Sequence, residues 1–424
     1  MGKLLDRPKQ GGVPVRVGCK LFIIAAVAFP FSANTANAQS SQMIEIGRPV
    51  VIDSPEPGDL HAFGTSVAVE GDHVLIGKPG VPSPRSRRER FAGVAYLFDT
   101  VGNQLCKFEK DVPVERDNFG ISVSLSADYA LIGALGDDVS GTDAGAAYLF
   151  SRDTCDFLKV FENPDPQADD RFGSTVSISG DNVLIGASDD DTDGIDWGGA
   201  YLFDANPDLS APNDLRARLS NPARVRGDRF GWSVSVSGTH ALVGASGHDS
   251  SGVDRSGAAY LYEIDSPMPV LVGTFHPPNP LPIGLFGRSV ALFEAYALIG
   301  STAPGFPGTA YLFNLHDLSE AVPPLLRPGS VIDDLFGRHV ALVGRYLLVG
   351  SGNGMSRTGW SAFLFDAIDG GHVYTFMDPE STPTEPESSF RLSVAISTGY
   401  VVIGDFGAGA DSAGTVFVYP MRTP

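Results

Sequence analysis

Cysteine is scarce in this chain, with 3 in 424 residues. That excludes a disulfide-dense small scaffold and a cysteine-rich zinc module. The 8 histidines are scattered, and no pair stands at metal-ligand spacing. No Gly-x-Ser-x-Gly elbow occurs, so the nucleophile of an α/β-hydrolase is missing. Basic residues are few: 30 Lys and Arg stand against 50 Asp and Glu, a net charge of −20. A surface of that sign repels nucleic acid and anionic membranes. Long hydrophobic runs are also lacking. The apolar run Leu21 to Phe31 spans 11 residues, well short of the ~20 that a spanning helix needs. Helical periodicity is absent throughout, which excludes helical solenoids.

That short run belongs to a leader. Lys3, Arg7, Lys9, Arg16 and Lys20 precede it, and Ala36-Asn37-Ala38 follows as a small-x-small cleavage site. Residues 1–38 are expected to be a secretory signal peptide cleaved after Ala38, leaving 39–424 as the mature domain. Removing it takes five basic residues and one acid, so the mature chain has 25 basic and 49 acidic residues, a net of −24. The expectation is a secreted or periplasmic, soluble, monomeric protein without membrane insertion or a nucleic-acid partner. Cys106 and Cys155 survive processing. Export makes a disulfide chemically possible, but the two stand at unlike positions of successive repeats, and two free thiols are the expected state.

What the chain has in abundance is repetition. Phe63-Gly64, Phe119-Gly120, Phe172-Gly173, Phe230-Gly231, Phe286-Gly287, Phe336-Gly337 and a degenerate Phe390-Arg391 open seven copies of a unit of about 55 residues. A second block, Leu-Ile-Gly or a close variant, begins 12 residues after each Phe, from Leu75 to Val402. A constant spacing means a hairpin whose register tolerates no slip, and Gly71-Asp72 or Gly180-Asp181 supply its turn. A third strand follows, as in Ala147-Tyr148-Leu149-Phe150, and then a looser fourth, as in Leu158 to Phe161. Short strands that are apolar on both faces need cover on both sides, and a propeller gives it by setting each blade between two others. The fold expected is all-β, a seven-bladed β-propeller. Because the last repeat ends at its third strand, Ile44 to Val51 is expected to pair with Val416 to Tyr419 and close the ring, removing an open edge.

The paired Phe-Gly and Gly-Ala blocks resemble FG-GAP repeats, as in the N-terminal propeller of integrin α chains, and resemble still more the variant in bacterial exported proteins. The resemblance covers roughly residues 44–420. It implies a protein that binds ligands or partners, with calcium loops in some blades. The integrin-type loop has no room here, since it would fall in the tight first hairpin. The candidate calcium ligands are instead Asp189, Asp191 and Asp193, spaced two apart before Gly194 in the next connection. Trp197 replaces a usual ligand there and no closing Glu follows, so a solvated acidic turn is the competing reading. The same face is expected to gather Asp117, Asp169-Asp170 and Asp228 as acidic loops. A basic knuckle, Pro84 to Arg90, interrupts them. Arg288 and Arg338 share one repeat position in neighbouring blades, where interblade salt bridging is expected and anion binding is the alternative. The function expected is a non-catalytic binding or adhesion scaffold presenting one face to a protein or glycan. The alternative is a polysaccharide-acting enzyme with its site at the channel mouth.

Overall fold

The computed structural model describes residues 44–56, 63–79, 92–194, 196–206, 215–330, 332–352, 360–377, 379, 392–406 and 413–422. The expected leader 1–38, the knuckle Pro84 to Arg90 and the degenerate Phe390-Arg391 pair lie outside the described residues.

The chain forms seven antiparallel sheets, each a blade. Blade one is Ser66–Glu70, His73–Lys78, Val94–Asp99 and Gln104–Phe108, in that order from axis to rim. The first two strands pair up to Glu70 and His73, so Gly71 and Asp72 alone make the turn. Gly71 has φ +58, a conformation that costs a residue without Cβ little. The other blades repeat this plan, with the outer strand of blade five reduced to Leu325–Leu326. The innermost strands of successive blades pack on one another all round, and that of the seventh, Leu392–Ile396, packs on that of the first.

The repeated blocks are the contact between blades. Phe172 of blade three is fully buried against Tyr201 and Phe203 of its own blade, with ring centroids at 5.5 and 5.9 Å. Leu131, Ala147, Leu149 and Phe161 of blade two join the same apolar cluster. The backbone of Phe172 forms a parallel bridge to Gly145, which precedes the third strand of blade two. The glycine of the second block is equally constrained. A Cβ on Gly133 would stand 2.0 Å from the carbonyl oxygen of Gly173 in the next blade and 2.3 Å from Ser122 Oγ. That hydroxyl donates to the same Gly173 oxygen at 2.9 Å. Ser66, Thr175 and Ser233 donate likewise to Gly120, Gly231 and Gly287. A hydrogen bond of this kind contributes about 1 kcal/mol net, and here its main effect is to fix the spacing of adjacent blades.

The two chain ends close the ring. Val50–Asp53 pairs antiparallel with Thr415 to Val418 as the outer strand of blade seven. Ser393 Oγ completes the hydroxyl series by donating to the Gly64 oxygen at 2.7 Å. The pairing differs in extent from the expected Ile44 to Val51. Glu45–Ile46 forms a separate short strand against Met421 and Arg422. Gly47 to Pro49 interrupts the two, because Pro49 has no N–H to give to a ladder.

Cys106 and Cys155 form a disulfide, with Cα atoms 5.8 Å apart, which corrects the expected free thiols. Cys106 lies on the outer strand of blade one, and Cys155 lies in the turn before the outer strand of blade two. The bridge therefore ties neighbouring blades through unlike positions of their repeats.

Candidate functional site

Strands alternate in direction, so the connection after the second strand shares a face with the segment that enters the first. The axial cavity opens on that face. It has a volume of about 550 Å³ and is lined by the starts of the innermost strands, including Thr65, Ile121, Ser174 and Trp232. Arg171, Leu135 and Ser188, from the long loops of the same face, complete its mouth.

Arg288 and Arg338 both line this cavity. Among the described residues Arg288 forms no ion pair, so the expected interblade salt bridge is not made by that arginine. Its guanidinium lies 5.8 Å from the Trp232 ring centroid, and that of Arg229 lies 5.1 Å from the same ring. Burial, then the like charges of Arg338 and Arg229, pull the Arg288 pKa down to about 10. His339 stands where most other blades carry the ring-forming Ser or Thr. Burial, then Arg338 and Arg288, push its pKa down to about 3, so it is neutral at ordinary pH. Among the described residues no Asp or Glu lines the cavity, although the chain carries a net −20.

The acidic residues of this face divide into two sets that the sequence did not separate. Asp117, Asp170, Asp228 and Asp334 stand two residues before the Phe of four repeats and are fully or almost fully buried. This corrects the expected acidic loops for Asp117, Asp170 and Asp228. Asp170 accepts from Asn163 Nδ2 and the Gln167 amide, both at 2.7 Å. Asp228 accepts from Asn221 Nδ2 at 2.8 Å and the Val225 amide at 3.1 Å. Asp117 accepts from the Val114 amide, and Lys110 bridges it to Asp137 at 2.7 and 2.6 Å. Each carboxylate thus satisfies backbone that arrives at the next blade. Asp137 and Asp190, also buried, accept from the hydroxyls of Tyr148 and Tyr201. Burial, and the nearby Asp190 carboxylate, raise the Asp170 pKa to about 6. The signal was present as a recurring Asp-x-Phe-Gly, which reads on charge alone as surface decoration.

Asp189, Asp191 and Asp193 lie on one loop but face different partners. Asp189 pairs with Arg171 at 3.1 Å. Asp191 Oδ1 accepts from the Asp196 amide at 2.5 Å. Asp193 pairs with Arg218 at 3.1 Å, and Arg218 also reaches the buried Asp190. As placed, the three carboxylates share no centre, and among the described residues no group of three or more His, Cys, Asp or Glu is arranged to hold a metal ion.

A family profile described as FG-GAP repeat matches residues 110–150, 161–203 and 216–262, the stretches that carry blades two, three and four. No curated protein matches the chain.

Proposed function

Since the chain is an FG-GAP repeat protein, we propose that it is an exported, non-catalytic scaffold that binds a protein or glycan ligand on the loop-bearing face of its propeller. The observation that carries this reading is the construction of that face. The long connections and the axial mouth open together, on a ring whose blades are locked by buried Phe, Gly and hydroxyl contacts. A rigid frame with variable loops at one end suits binding. The fold alone does not specify it, because propellers host unrelated activities.

The chemistry of the mouth also favours binding over hydrolysis. Glycoside hydrolysis ordinarily uses two carboxylates flanking the scissile bond. The axial cavity offers arginines, a tryptophan and hydroxyls, with no acid among its described lining. Export is part of the proposal and follows from the leader, and a cleaved N-terminus at Gln39 in the periplasm or medium is its direct check. The ligand test is a glycan array together with a surface-proteome pull-down, both with the full chain purified after export. Saturable retention of one ligand class supports the scaffold. Retention of none, by either method, sinks it.

A further inference from the structure

We infer that the axial opening is an oxyanion-binding site, in which Arg288 and Arg338 grip a carboxylate, sulfate or phosphate group brought in from the loop face. The inference rests on that face being the binding one, and names the chemistry it would recognise.

The repeat supplies the first argument. The position of Arg288 and Arg338 is filled by Thr65, Ile121, Ser174, Trp232 and Leu392 in the other blades. Those blades pack without a cation there, so the propeller does not need one. Two neighbouring blades nevertheless place arginines side by side. Arg338 and Arg229 are the charges that act on Arg288, and both repel it. Among the described residues no carboxylate lines the cavity itself; Asp189 stands outside it, paired with Arg171 and acting on Arg229. On a chain of net −20, this is a concentration of one sign where the surrounding protein has the other. A cleft with low-dielectric walls focuses such a field and raises the local concentration of the opposite charge.

Geometry supplies the second argument. Trp232 carries the guanidinium groups of Arg229 and Arg288 against its ring, which holds the planar forks in place before any ligand arrives. A guanidinium presents several N–H donors in a plane that matches an oxyanion bidentately. His339, neutral beside them, adds no third repelling charge. A cavity of about 550 Å³ accepts a small anionic group with the unit that bears it, on the scale of ordinary ligand pockets.

The test is isothermal titration of the full chain with sodium sulfate, sodium phosphate and a trisaccharide of galacturonate, at ionic strength held constant with sodium chloride. Saturable binding of at least one is expected, weakened tenfold or more in Arg288→Gln and in Arg338→Gln. Without ligand, Arg288→Gln should melt at or above the wild-type temperature, because a repulsion has been removed. Tighter binding of the uronate assigns the site to an acidic glycan, and tighter binding of the inorganic ions assigns it to a free anion. No saturable heat with any of the three overturns the site, as does unchanged affinity in both variants. If Arg288→Gln does not fold, Arg288→Lys replaces it, and unchanged affinity there and in Arg338→Gln has the same force. Array ligands retained equally by both variants would remove this site and leave the scaffold standing.

Discussion

Phe172→Ala tests the contact on which every blade depends. The side chain is fully buried and sits between two blades. A buried aromatic covers about 150–250 Å², which at about 25 cal/mol/Å² gives about 4–6 kcal/mol for the whole residue. Alanine keeps the Cβ, and measured truncations of this type cost about 3–5 kcal/mol with the cavity included. A loss of about 4 kcal/mol follows. With a urea slope of about 3 kcal/mol/M for a chain of this size, the midpoint should fall by about 1–1.5 M. Far-UV circular dichroism and tryptophan fluorescence should report coincident transitions in wild type and variant. Phe306→Ala is the control, since Phe306 is 44% exposed and should shift stability by no more than about 0.5 kcal/mol. A Phe172→Ala midpoint no lower than that of the control would show that the interblade cluster does not hold the ring together.

Reduction of Cys106–Cys155, or Cys155→Ser, should destabilise by about 4 kcal/mol on the chain-entropy account for a sequence separation of 49; an unchanged melting temperature under reductant would contradict it. Deleting residues 39–53 should cause aggregation or a large loss of thermal stability, because Ile52 is buried and the third strand of blade seven loses its partner; a monomer that melts like wild type would rule the closure out. His339 has a folded pKa of about 3, below its unfolded value of about 6.5. Acid therefore protonates the unfolded state first, and stability present above pH 6.5 is lost as pH falls towards 3. His339→Ser restores the residue type of the other blades, and should gain about 1–2 kcal/mol on wild type between pH 7 and pH 5; a constant difference across that window would refute the assignment. Asp189, Asp191 and Asp193 are engaged by Arg171, the Asp196 amide and Arg218, which compete with calcium for them. Melting temperatures of wild type and Asp191→Ala should then respond equally to calcium, and a gain confined to wild type would establish the ion at this loop.

The architecture was legible because its determinants are local and repeated. The Phe, the two glycines and the third-strand aromatics each meet other fixed repeat positions of a neighbouring blade, as Phe172 meets Leu131 and Leu149, Gly133 meets Gly173, and Phe203 meets Phe161, so one spacing in the sequence encodes the whole ring. Closure was legible for a related reason, since the last repeat lacks a strand and the chain start supplies one. The disulfide was not, because a bridge between blades joins unlike positions of two repeats, and comparison within the repeat hides it. The buried aspartates were misread because charge suggests solvent. Only the structure shows that Asp170 and Asp228 meet backbone amides and asparagine side chains beneath the loop. Arg288 and Arg338 were visible as a pair, but a pairing partner could not be assigned from sequence, and their significance comes from a shared cavity whose described lining holds no acid.

The central claim is that this propeller binds its ligand and leaves it chemically unaltered. The direct measurement is the mass of the captured glycan or protein after prolonged incubation with the full chain. The account predicts a ligand recovered at its original mass, held in saturable proportion to the chain. Fragments accumulating in excess of one per chain would contradict it and place an enzyme at the channel mouth.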